Sequence, residues 1–89
     1  MSTQRLSDLR NLGSRSIAML EAIGIGTQAE LAACGAIAAF IAIKQAGQPA
    51  TLNLLWAMEG ALTDRDWRQV SRHDKLHLLT ELELRGALP

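Results

Sequence analysis

The chain has 89 residues, 48% of them apolar, and its nine basic side chains balance nine acidic ones. That length makes one domain with room for a modest core. The neutral balance excludes attraction of the whole molecule to DNA or anionic lipid, so any nucleic-acid site must be a local patch. The aromatic residues are Phe40, Trp56 and Trp67. Ala, Leu and Ile therefore fill most of the core, which favours helices over sheets. Cys34 is the single cysteine, which excludes an internal disulfide. With no signal-peptide pattern, this indicates the cytoplasm. Cys34 itself reads as a small buried core residue. The longest apolar run, 35–43, spans nine residues, far short of the roughly 20 that a membrane span needs.

In chain order, residues 1–5 read as a flexible tail and 6–86 as a single helical domain. Leu6, Leu9 and Leu12 recur at helical spacing through a short first helix ending near Arg10 or Asn11. Asn11 and Gly13 are the residue types that reach left-handed backbone angles most cheaply, so 11–13 read as a tight turn. Ser14 is the expected cap of a second helix to about Ile23, with Ile17, Leu20 and Ile23 inside and Gly24 as its stop. Together these make a helix-hairpin-helix-like element.

Thr27 and Glu30 form a capping box that opens a helix to about Cys34. A fourth helix covers 36–46 and ends at Gly47, before Pro49. Thr51 opens a fifth over 52–62. Leu52, Leu55, Trp56, Glu59 and Leu62 share one of its faces. Asn53, Ala57 and Gly60 form a small-residue face that another backbone can approach closely. Asp64 or Asp66 caps a turn around Trp67, and Ser71 caps a last helix over 72–85, closed by Gly86. The expected fold is an all-α compact bundle of five or six short helices.

These residues carry a family resemblance. The signposts are 9–13 (Leu-Arg-Asn-Leu-Gly), 20–25 (Leu-Glu-Ala-Ile-Gly-Ile), Leu31 with 35–40 (Gly-Ala-Ile-Ala-Ala-Phe), 52–62 and Asp66-Trp67. The chain resembles the C-terminal domain of the TfoX (Sxy) competence regulators over roughly 5–83. The resemblance implies a helical domain from a bacterial protein. It also implies regulators that help switch on DNA-uptake genes with the cyclic-AMP receptor protein. Two departures stand out. Those regulators normally carry a separate N-terminal domain, for which this chain has no room, so it is a standalone member or a fragment. The family often has a basic residue near the middle of the fourth helix, where this chain has the apolar run 40–43 before Lys44.

The hairpin is the first candidate site. Successive backbone N–H groups ahead of a helix make an anion cradle. Here Arg10, Asn11, Leu12, Gly13, Ser14 and Arg15 are the residues expected to hold a DNA phosphate. Arg5, Arg10 and Arg15 stand against Asp8 alone. The competing reading is that the hairpin only lets two helices cross closely.

A second patch, Arg65, Arg68, Arg72 and Lys75, is diluted by Asp66 and Asp74 and reads as a solvated surface that extends the hairpin patch if the chain ends meet. His73 and His77 have a spacing zinc can use but lack cysteine or glutamate companions, so no metal site is expected. Glu59 falls on an apolar face and must reach the rim or a buried partner. With no Walker motif, Rossmann fingerprint, triad or carboxylate dyad, no catalysis and no cofactor are expected.

The fourth helix is apolar on every side and must be buried all round. It is either covered by the other helices, or it offers Ile41 and Ile43 to a partner protein or a second copy. The leading expectation is a regulatory module touching DNA phosphates through the hairpin. The alternative is a protein-interaction or homodimerisation module without direct DNA contact.

Overall fold

The helix signals are realised in an all-α bundle. The computed structural model describes residues 5–86. Within them it forms a 3₁₀ turn, Leu6–Asp8, and six helices: α1 Ser14–Ala22, α2 Gln28–Cys34, α3 Ala36–Gln45, α4 Leu52–Thr63, α5 Trp67–His73 and α6 Lys75–Leu84. The tail expected at 1–5 lies outside the described residues except for Arg5, which makes an isolated antiparallel bridge to Thr27. The radius of gyration is 12.0 Å, as expected of a single domain of this length.

Several starts and stops follow directly from sequence. Gly24, at φ 86°, closes α1: the Ile25 N–H donates to the Leu20 carbonyl and the Gly24 N–H to the Glu21 carbonyl. That is the paired closure of a left-handed glycine cap, and it folds Ile25 back into the core at 7% exposure. Thr27 Oγ1 accepts from the Glu30 N–H at 3.2 Å, while Glu30 reaches back to the Gly26 N–H at 3.0 Å. Asp66 caps α5 through the Arg68 N–H.

Other expectations are corrected. The first helix is one 3₁₀ turn ending at Asp8. Ser14 is not the cap of α1. Gly13 holds that position in extended backbone (φ −94°, ψ 179°), and the left-handed residue of the turn is Asn11 alone (φ 71°). Ser71 lies within α5, and α6 begins from Asp74. Cys34 is exposed rather than buried, because the seven-residue α2 turns only Leu31 inward.

The core is organised around α3, which packs against α1, α2, α4 and α6. Ala36, Ala39, Phe40 and Ile43 are buried in it, whereas Ile37 and Ile41 are half-buried against its edge. Ile43 is therefore corrected as an interaction residue: it has no exposed surface. The other helices cover one side of α3 fully and leave Ile37 and Ile41 half-buried on the other.

The buried side of α4 is also broader than its expected apolar face. Residues 54–58, Gly60 and Ala61 are buried, and Glu59 takes the rim. The small-residue face receives a loop and a side chain rather than a helix. A Cβ on Gly60 would lie 2.5 Å from both the Arg65 carbonyl oxygen and Asn11 Nδ2. Gly→Ala within a helix ordinarily stabilises by about 0.5–1 kcal/mol. At Gly60 the sign reverses, and the expected loss is about 2 kcal/mol from overpacking against backbone. Urea denaturation reads the difference, and a midpoint at or above that of wild type would remove Gly60 from this role.

Candidate functional site

The candidate site grows from the turn 9–13 because its side chains reach across the molecule. Asn11 Nδ2 donates to the Arg65 carbonyl at 2.8 Å, and its Oδ1 accepts from the Trp67 N–H at 3.3 Å. The amide thus satisfies one acceptor and one donor of the α4–α5 loop, and Gly60 leaves the space for it. Arg10 reaches the same loop. Its Nη1 donates to the Asp64 carbonyl at 3.3 Å and stands 3.8 Å from the Asp64 carboxylate.

Beside this joint is a groove of about 450 Å³. Arg15, Ser16 and Met19 of α1 form one wall, Thr51, Asn53, Leu54 and Ala57 of the α4 segment another, and Asn11, Pro49 and Trp67 complete it. The first turns of α1 and α4 both border the groove, and neither carries a side-chain cap. Their open N–H groups and aligned dipoles bring positive potential to the same place. Arg15 is exposed at the rim and, among the described residues, has no hydrogen-bond or ion-pair partner. The Arg68 guanidinium lies 5.4 Å from the centre of the Trp67 ring, and among the described residues Arg15 is the one cation that lines the groove itself.

The six hairpin residues therefore have separate placements. Arg15 and Ser14 are exposed at the start of α1, and Gly13 is exposed before them. Leu12 is buried at 8% exposure, serving the core. Asn11 spends its amide on the α4–α5 loop, and Arg10 leans onto Asp64. Of the second patch, Arg68 stacks on Trp67 without lining the groove, whereas Arg65 pairs with Asp74. Among the described residues, no group of three metal-ligating side chains surrounds His73 and His77.

Thr51 and Trp67, legible in sequence as a helix start and a family signpost, line the groove together with Ser16. The small-residue series Asn53-Ala57-Gly60 was the available signal, since it marks the face where chain ends converge.

The Arg65–Asp74 pair braces the α4–α5 loop against the start of α6. The hydrogen bond from Arg65 lowers the Asp74 carboxyl below its ordinary value of 3.8, and the same bond raises Arg65. A lowered folded-state value means that the stabilisation is present above the ordinary carboxyl range and is lost as pH falls through the folded-state value. Both side chains are about one-third exposed, so solvent screening keeps the contribution small. Asp74→Asn is expected to lower stability by about 0.5–1 kcal/mol at neutral pH. It should also flatten the stability loss below about pH 4. Thermal melts across pH 2–7 check this, and parallel wild-type and variant curves would contradict it.

The two roles of Asn11 separate by substitution. Asn11→Gly keeps the left-handed turn and loses both side-chain bonds, at an expected cost of about 1–2 kcal/mol. Asn11→Ala adds left-handed strain of about 1 kcal/mol. Denaturation should rank wild type above glycine and glycine above alanine. Equal stability of wild type and Asn11→Gly would show that the amide bonds contribute nothing.

Six helices, with the N-terminal turn clipped onto the α4–α5 loop beside an open groove, define a small all-α domain. A family model for the TfoX C-terminal domain matches residues 2–82, and the chain belongs to that family. It is 35% identical over 78 residues to a Haemophilus influenzae protein named DNA transformation protein TfoX. The match covers 88% of this chain and 36% of that relative, so the chain spans about a third of its length. The fold is also similar to the crystal structure of an uncharacterized Listeria monocytogenes protein. There the TM-score is 0.79 at 30% identity, covering 92% of this chain and 94% of the other.

Proposed function

We propose that this domain is a non-catalytic regulatory module of bacterial competence control, acting in the cytoplasm beside DNA. In this reading it holds one or two backbone phosphates at the first turn of α1. The observation that carries this is the start of α1. Gly13 brings no side-chain cap, and Arg15 is exposed in the same turn. An anion at that position meets open N–H groups, the positive end of the helix and a free guanidinium. The name of the Haemophilus influenzae relative, a DNA transformation protein, supports the same assignment.

Arg10 is a weaker contributor, since Asp64 already competes for its charge. Asn11 and Leu12 act by holding the turn rather than by touching the ligand. Contacts of this kind position a protein on the duplex and carry no base information. The expected binding is weak, indifferent to sequence and sensitive to salt.

Fluorescence anisotropy with a labelled duplex tests this. With two phosphates engaged, affinity should fall about tenfold between 50 and 200 mM salt. Arg15→Ala should weaken binding severalfold and make the salt dependence shallower. Absence of salt-dependent binding in wild type, or equal binding by Arg15→Ala, rejects the reading.

A further inference from the structure

The outer face of α6 breaks two rules at once. Leu78 and Leu82 enter the core, so at 100° per residue the opposite face carries Leu76, Thr80 and Leu84 in a line along the helix. Leu76 is 80% exposed and Leu84 77% exposed, and they are the large hydrophobic residues left most open among those described. Thr80 between them donates its hydroxyl to the Leu76 carbonyl at 2.7 Å, so its donor is satisfied within the helix.

The charges beside this stripe also run against the helix. Lys75 and His77 lie in the first half of α6, and Glu81 and Glu83 in the second. A lysine at the start of a helix and glutamates at its end oppose the macrodipole. Among the described residues none of these four side chains makes an ion pair that would compensate. Inside one copy, Asp74 at the start of α6 is the acid nearest this cationic end, and it is engaged by Arg65. The leucine stripe has no cover among the described residues.

We infer that the outer face of α6 docks the same face of a second copy of this chain, with the two helices antiparallel. A two-fold axis at Thr80 sets Leu76 against Leu84 of the partner subunit, and Leu84 against Leu76 of the partner subunit. It also brings Lys75 towards Glu83 of the partner subunit on one flank. On the other flank it brings His77 towards Glu81 of the partner subunit. The parallel arrangement sets Glu81 against Glu83 of the partner subunit on both flanks, so the charge order itself selects the antiparallel sense. Each acidic helix end then meets the positive end of its neighbour, which removes the internal conflict. A ten-residue helix offers about 15 Å of contact. That is the low end of specific interfaces, so the dimer is transient and concentration-dependent.

The assembly is self-complementary, as a two-fold interface requires, and it does not depend on DNA contact. It also moves self-association from α3, where Ile43 is sealed in the core, to α6, whose outer leucines have no cover among the described residues.

Sedimentation equilibrium from about 10 μM to about 1 mM tests the inference, with dissociation constants expected in that range for so small an interface. Wild type should shift from monomer towards dimer. Leu76→Asp should raise the dissociation constant by about tenfold or more, since it places a charge against an apolar partner. Both leucines are exposed, so a thermal melt should find the variant folded. Lys75→Glu alone should weaken the dimer, and Lys75→Glu combined with Glu83→Lys should restore it. That restoration is specific to antiparallel pairing. A strict monomer at about 1 mM overturns the inference and leaves the stripe to a different partner or to another segment of a longer protein. A dimer indifferent to Leu76→Asp overturns it equally, and a dimer that the double charge exchange fails to restore overturns the antiparallel sense.

Discussion

The Asn11 side chain joins the two ends of this domain, and much of the structure depends on that amide. It donates to the Arg65 carbonyl and accepts from the Trp67 N–H. The first N–H of α5 is thus capped from more than fifty residues away, while Asp66 caps the next one locally through Arg68. Left without Asn11, a carbonyl and an N–H in a partly buried joint would have no protein partner, and such groups are costly. The joint closes only because Gly60 has no side chain. One polar side chain and one absent side chain therefore decide how the N-terminal turn meets the second half of the bundle.

The joint also sorts the arginines. Arg10 follows the turn onto Asp64, and Arg65 is drawn to Asp74, so both cations are matched by nearby acids. Arg15 lies four residues beyond Asn11 and keeps its charge for the groove. A chain with no net charge can in this way carry a local positive field. The field comes from which charges are paired and from the two uncapped helix starts that border the groove, not from an excess of basic residues.

Burial follows the same logic of cover. Helix α3 is apolar all round and succeeds as the central element because α1, α2, α4 and α6 surround it. Helix α6 lies at the periphery with Leu78 and Leu82 buried and Leu79 half-buried against the core. Its outward leucines have nothing above them within the described chain. The two helices look comparably apolar in places, yet one is a core and the other a surface.

What the sequence by itself determined is local. Gly24 and Gly47 stop helices because left-handed closure needs no distant partner. Thr27 and Asp66 start helices because their oxygens reach N–H groups two or three residues away. The signposts of the TfoX C-terminal domain were legible for the same reason, being contiguous stretches. Periodicity also captured the all-α class, and the apolar run 36–43 marked the central helix, although Ile37 and Ile41 stay half-buried at its edge. Tertiary structure alone decided that Asn11 reaches Arg65 and Trp67, that Cys34 and Leu76 face outward, and that Ile43 is sealed while Arg15 stays free. Those outcomes depend on which helix covers which face and which acid lies near which base, and side chains more than fifty residues apart in sequence meet only after the bundle has closed.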